Sequence, residues 1–273
     1  MQFIDSRKPN VRAVWESYVY EHATVDALTR RFGMSEKWIR GRLDHYELPS
    51  FSPTPRAMVA VGDATKIGCT WMLVMRDPNA HENVYFKEIV SEATSDYQTA
   101  RAELERQGFV FTAFVGDGRV AVPWLFSDIP VQMCHFHQKE IIVRYTTLSP
   151  ALPAGQELLA LAQTLASSTK ADFIARFEVW CAKWHDFLNE RTVNEKTGRR
   201  SFTHRRLRSA RTSLRVHLPY LFTFQDYPEL NIPNTTNSLD GSFKKVKMAI
   251  GVHSGLTHVR KVKLVSALLM GRK

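Results

Sequence analysis

The stretch FVFTAFVGDG, residues 109–118, is an apolar run that stops on a Gly-Asp-Gly turn signal. Side chains dominated by β-branched and aromatic types predict a buried strand with Asp117 at its carboxyl end. A second run of the same design lies upstream: MVAVGDATKIG, residues 58–68, carries Asp63 directly after Val-Gly. If the two strands are sheet neighbours, both carboxylates leave the sheet at one edge. Taken singly each acid has a plain reading, because Asp-Gly is a turn signal in its own right and an Asp at a strand end is ordinary.

Outward from these runs, AMVAVGD, CTWMLVMRD and NVYFKEIV follow in quick succession with TKIG and PNAHE between them, the pattern of an antiparallel meander. Ser95 is expected to cap an amphipathic helix, SDYQTARAELERQ, that Gly108 stops. After the Asp117 strand come VAVPWLF and a further strand-like run, PVQMCHFH. Strands that bracket a helix require at least one parallel crossover, so the fold class is α/β. From Gln138 to about Phe224 the pattern turns helical with no convincing strand, and VNEKTGRRSFTH within it reads as a polar basic loop.

The third acid of interest stands on a helix pattern. In NTTNSLDGSFKKVKMAIG, residues 234–251, Leu239, Phe243, Val246 and Ile250 recur at helical spacing, Thr235 or Thr236 can cap, and Asp240 lies beside the apolar stripe. Three carboxylates brought together from distant parts of a chain make an oxygen cage for hard divalent cations. Two such ions could activate a water or a 3′ hydroxyl and stabilise the leaving oxygen of an in-line phosphodiester displacement.

At the amino end, residues 11–46 are helical in pattern. Thr24 and Ser35 as caps on either side of Gly33 predict a helix-turn-helix, whose second helix would bring Lys37, Trp38, Arg40 and Arg42 near DNA. An ordinary pair of packed helices is the plain alternative. LPSFSPTPR, residues 48–56, is a linker because its prolines cannot continue a helix.

Composition narrows the partner. The 273 residues are 44% hydrophobic, enough for a core, and 37 basic against 27 acidic residues leave a net charge of +10. The basic residues cluster in RKPNVR, EKWIRGR, TGRRSFTHRRLRSARTSLR with Arg205 and Arg206, FKKVK with Lys244 and Lys245, HVRKVK and GRK, which points to a polyanion. No run approaches the roughly 18–20 apolar residues of a membrane span, and MQFIDSRKPNVRAV lacks the apolar core of a secretion signal, so a soluble intracellular protein with no membrane partner is expected. Cys69, Cys134 and Cys181 are too few and scattered for a disulfide framework. Cys134-x-x-His137 with Cys181-x-x-x-His185 offers a tetrahedral zinc site as an alternative use of these side chains.

Taken together, VGDATKIG, VGDGRVAV, PVQMCHFHQKE and PNTTNSLDGSFKKVK resemble the sequential blocks of Mutator-type bacterial insertion-sequence transposases, over about residues 57–269. The resemblance implies a ribonuclease-H-like mixed sheet flanked by helices, formed by residues 57–137 and 226–273, with an all-helical insertion at 138–225 and the helix-turn-helix region at 1–47. It implies Asp63 and Asp117 as the first two ligands of two Mg2+ or Mn2+ ions, and Cys134 with His137 as the family's Cys-x-x-His pair, with Asn237 in the last block. Where the family has Glu this chain has Asp240, shorter by one methylene and about 1.5 Å of reach; Glu229 is the substitute acid. The implied partners are double-stranded DNA, as the element's terminal inverted repeats and its target, and a second copy of the chain or more. The implied activity is 3′-end hydrolysis and strand transfer, in the bacterial cytoplasm at the nucleoid. A helix-turn-helix protein without catalysis and a metal-dependent nuclease that cleaves without joining are the alternatives.

Overall fold

The computed structural model describes residues 9–118, 121–253 and 255–271. Three helices come first: α1 (Val11–Tyr20), α2 (Val25–Phe32) and α3 (Glu36–His45). The expected caps form, Thr24 Oγ1 accepting from Ala27 N and Ser35 Oγ from Trp38 N, with Gly33 in the left-handed region between them. The meander follows as β1 (Ala57–Ile67), β2 (Thr70–Asp77) and β3 (Glu82–Ile89), then α4 (Thr94–Arg106), β4 (Val110–Gly116), the short α5 (Ala121–Leu125) and β5 (Val131–Met133). Strand order is β3-β2-β1-β4-β5, with β1–β2 and β2–β3 antiparallel and β1–β4 and β4–β5 parallel. This is an α/β protein with a five-stranded mixed sheet.

Both faces of the sheet are covered, which is why its central strands are apolar runs and not alternating ones. Val59 and Val61 of β1 point to one face, where they meet Leu239, Phe243 and Val246 of α12 (Asn237–Val252) and Val265 of α13 (His258–Met270). Met58 and Ala60 point to the other and pack with Tyr97, Ala100 and Leu104 of α4. Ile250, expected on the buried stripe of α12, is only half-buried, and Ala249 takes the inner position.

Between β5 and α12 lies the helical segment: α6 (His135–Thr146), α7 (Pro153–Gln163), α8 (Lys170–Lys183), α9 (His185–Asn189), α10 (Arg205–Leu221) and α11 (Thr223–Asp226). Its own core gathers Leu158, Phe173, Phe177, Trp180 and Leu214. It returns to the sheet through buried polar bonds: Gln132 Nε2 donates to Leu221 O at 2.9 Å and Thr223 Oγ1 to Val131 O at 2.6 Å. The N-terminal helices in turn share a core with α13, where Leu264 and Ala267 meet Trp15, Leu28 and Leu43, and Arg260 pairs in a bidentate manner with Asp44.

Four local expectations need correction. The stretch read as a basic loop contains a two-stranded hairpin, β6 (Arg191–Val193) with β7 (Arg200–Phe202). Its strands are three residues long and β6 is wholly exposed, so no period-two pattern marks them. TKIG is mostly strand, because β1 runs to Ile67 and turns on Gly68 and Cys69. Helix α4 starts at Thr94, with Asp96 Oδ2 accepting from Ala93 N in place of a Ser95 cap. Helix α6 begins at His135, which puts His137 in its first turn and not at a strand end.

The paired Val-Gly-Asp sequences have a packing cause. A Cβ on Gly62 would sit 2.8 Å from Met75 Sδ and from the Phe114 ring, and one on Gly116 would sit 2.7 Å from the same ring. Phe114 is fully buried and stacks on Phe126 at 3.9 Å, so the ring has no room to give. Gly62→Ala and Gly116→Ala are each expected to cost about 1–3 kcal/mol in urea unfolding. Either one combined with Phe114→Leu should lose part of that cost, and fully additive penalties would contradict this origin of the glycines.

Candidate active site

The β1–β4 ladder ends on Val61 with Val115, two residues before each acid: Asp117 stands just past the end of β4 as expected, whereas Asp63 lies inside β1, still paired with β2, and not at a strand end. Both acids continue the stripe that Val59, Val61, Ala113 and Val115 direct toward α12. On that helix Asp240 stands in the first turn, one turn before the buried Phe243. The three carboxylates line one cleft of roughly 680 Å³, together with Glu92, His137 and Lys244. Trp71, Phe243, Lys247 and Met248 are among the other residues of its walls.

Asp240 is held by a short polar chain. Thr236, fully buried at the N-cap of α12, donates Oγ1 to Asp240 Oδ2 at 3.3 Å, and its backbone N–H donates to Cys134 Sγ at 3.3 Å. His135 N–H adds a bond to Asn234 O at 2.9 Å. The corner between β5 and α6 is thereby stapled to the start of the helix that carries the third acid. Cys134 serves this staple as a fully buried side chain, and His137, three residues on, lines the cleft.

Electrostatics in the cleft are unbalanced. Burial pushes the Asp63 carboxyl up to about 7, with His137 opposing the rise and Asp117 adding to it. Burial works against the charged form of His137, yet the adjoining Cys134 and the carboxylates of Asp63 and Asp117 raise it to about 9. Burial would raise the Cys134 thiol as well, but contact with His137 and Thr236 brings it down. These neighbours favour the protonated form of His137, which would act as an internal counter-charge to the acids. Carboxylate oxygens are the donors that Mg2+ and Mn2+ prefer, and a cation here would relieve the Asp63–Asp117 repulsion, so the donor chemistry fits such ions. The acids do not converge on a single point, however: among the described residues no group of three or more His, Cys, Asp or Glu side chains is gathered to hold a metal ion. The expected closed cage is therefore an open cleft with acidic walls.

The remaining sequence candidates divide. Lys244 lines the cleft, while Lys245 and Asn237 are exposed on α12 outside it. Lys37 and Arg42 are exposed on α3, Trp38 packs partly into the N-terminal core beneath Arg42, and Arg40 pairs with Glu36. Arg205 is exposed, whereas Arg206 donates to the carbonyls of Tyr145 and Arg144 and so caps the end of α6. Arg7, Lys8, Arg272 and Lys273, from the terminal basic clusters, lie outside the described residues. Glu229 is exposed in a 3-10 turn and does not line the cleft. The zinc set is not assembled, because Cys181 packs in the core of the helical segment and His185 is exposed beside Asp186. Trp180 is interior and Trp184 half-buried at the edge of the same core, and their indole N–H groups donate to Ala154 O and Glu157.

Sequence reasoning missed Glu92, Thr236 as a tether, and Lys247. Lys247 follows Asp240 and Lys244 at steps of four and three and was discoverable from helical spacing. Glu92 lies in the turn before α4 and carries no such signal.

A scan against protein-family models finds no match, and a search of curated proteins finds none either. Among the described residues no helix is long and apolar enough to cross a membrane.

Asp63 supplies a test of the cleft's electrostatics. Its folded value of about 7 lies above the ordinary 3.8, so its contribution is fully favourable below pH 4 and is lost as pH rises through 7. In metal-free protein, Asp63→Asn should therefore gain stability over the parent between pH 4 and pH 7, by on the order of 4 kcal/mol at the plateau. A stability difference that does not change across that range would contradict a carboxyl whose burial outweighs the help of His137 and the Ala64 N–H.

Proposed function

We propose that the protein is a metal-dependent DNA transposase of the aspartate-rich, ribonuclease-H-like type, encoded by a bacterial insertion sequence. One observation carries the reading: an acid within β1, a second just past the end of the parallel neighbour β4, and a third from the helix that follows a helical insertion line one cleft edged by Lys244 and Lys247. The sheet order, with only β2 running against the rest, supports a ribonuclease-H-like core.

In this reading Asp63 and Asp117 hold the ions and Asp240 completes the set from the facing helix. Bound Mg2+ or Mn2+ supplies Lewis acidity and an activated oxygen nucleophile at neutral pH. The chain's own contribution is positional and electrostatic. Thr236 and Cys134 fix Asp240, His137 balances the acids, and the lysines of α12 attract the phosphodiester. Helices α2 and α3 with exposed Lys37 and Arg42 would bind the terminal repeats, and joining two ends calls for two or more copies. Such an enzyme works at the nucleoid.

A second reading has one observation in its favour. Because the acids stand apart and Asp240 is short, a DNA-binding protein with this fold and no catalysis is the alternative.

Labelled DNA carrying the sequences that flank the protein's own gene, incubated with Mg2+, separates the two. The parent chain should yield joined product. Asp117→Asn should lower joining by on the order of 1,000-fold or more with DNA binding nearly unchanged, and Asp240→Glu should retain it. Joining that survives Asp117→Asn would overturn the site, and binding without cleavage or joining by the parent would favour the second reading.

A further inference from the structure

Helix α10 presents one face to an open groove of roughly 520 Å³. Arg205, Arg208, Ser209, Thr212, Ser213 and His217 line it at steps of three, four and one, the repeat of one continuous helix face. No acid lines the groove among the described residues. Arg211 and Arg215 lie on the same helix but outside the groove lining, where Arg215 donates to Cys181 Sγ at 3.7 Å. Burial above all, and then the neighbouring charges of Arg208 and Arg215, hold the Arg211 guanidinium below its usual value.

The two ends of the groove differ. At the outer end the β6–β7 hairpin places Phe202 between two guanidiniums, Arg208 at 3.5 Å and Arg191 at 4.2 Å from the ring centroid. Arg208 also donates to Leu188 O at 2.9 Å and Asn189 Oδ1 at 2.7 Å, which fixes the hairpin against the helical segment. At the inner end His217 is buried, donates Nδ1–H to Gln138 Oε1 at 2.6 Å, and stands next to Gly118, the neighbour of Asp117. The groove therefore runs from a basic, aromatic hairpin to the edge of the acidic cleft.

We propose that this groove is a track for the sugar–phosphate backbone of one DNA strand, delivering that strand to the cleft. Guanidiniums and small hydroxyls are the groups that contact phosphate and sugar, and they orient a strand without reading bases. Tyr145, Phe202 and Val216 add apolar surface to the lining, as sugar and base faces require, while two arginines and no acid among the described residues set the groove apart from the charge-poor core of a protein interface. From Arg205 to His217 the helix rises about 18 Å at 1.5 Å per residue, the reach of about five phosphates along a B-form strand. The proposal rests on DNA being the partner in the function proposed above, but it needs no catalysis.

Binding is measured by fluorescence anisotropy on a 25-base-pair DNA duplex in EDTA, across a series of salt concentrations. The parent should show a steep linear fall of log affinity with log salt. Changing Arg205 and Arg208, the two arginines that line the groove, together to Ser should reduce that slope by about 1–2 and weaken binding on the order of 10-fold or more at 0.15 M salt. Ser209→Glu with Thr212→Glu, which leaves every arginine in place, should weaken binding at least as much. Arg106→Ser, on α4 away from the groove, removes one exposed cation and should change little. Unchanged slope and affinity in both groove variants, with unaltered thermal unfolding, would overturn the track while leaving the DNA partner standing. No salt-dependent binding by the parent would instead remove the partner. An RNA duplex that binds tighter, and loses the same slope in the variants, would overturn the assignment to DNA.

Discussion

The parallel ladder between β1 and β4 is the constraint on which the site depends. It ends on Val61 and Val115, so that Asp63, inside β1, and Asp117, just past β4, follow on the face where Val59, Val61, Ala113 and Val115 are buried. Two like charges in a partly buried place repel, and at short range that repulsion reaches several kcal/mol at an effective dielectric of about 20. A fold has no structural reason to arrange this. The backbone that does so also needs glycine before each acid to admit Phe114 beneath the strands, so packing on one face and charge on the other are written into the same three residues, Val-Gly-Asp, twice.

The third acid reaches the cleft by a different route. A helical segment with its own core intervenes between β5 and α12, and the chain must return accurately after it. Gln132 and Thr223 secure that return to β5, and the Cys134–Thr236 contacts secure the first turn of α12. Cys134 and His137, three apart, therefore do separate jobs across the cleft: one holds the helix that bears Asp240, the other, when protonated, places a positive charge among the acids. The cleft is open as it stands, which is a geometry that bound cations and substrate phosphate could draw together.

Much of this was legible in the chain. The meander, the helix after it, the Asp117 strand and the helix of Asp240 follow from apolar runs and helical spacing, because each buries a full face. The caps at Thr24 and Ser35 were legible for a local reason, a side-chain oxygen placed before an apolar period. The β6–β7 hairpin was not, since three-residue exposed strands leave no hydrophobic pattern. Glu92 was invisible because its place in the cleft comes from the tertiary position of a turn, and the spacing of the carboxylates is set by packing that no linear pattern encodes. Charge clustering located the basic segment, but it could not separate Arg206, spent on capping α6, from Arg205, which faces the groove.

The cleft and the basic groove make opposite demands on one surface, attracting cations at one end and phosphates along the other, and His217 stands where they meet. That polarity suits a phosphodiester held on arginines and presented to ions held on aspartates. Crystals soaked in Mn2+ and measured at the manganese absorption edge test this most directly. An anomalous peak within about 2–2.5 Å of carboxylate oxygens from both Asp63 and Asp117 is the expected result. Manganese bound elsewhere on the surface, with none between those two side chains at saturating concentration, would contradict the cleft as a metal centre.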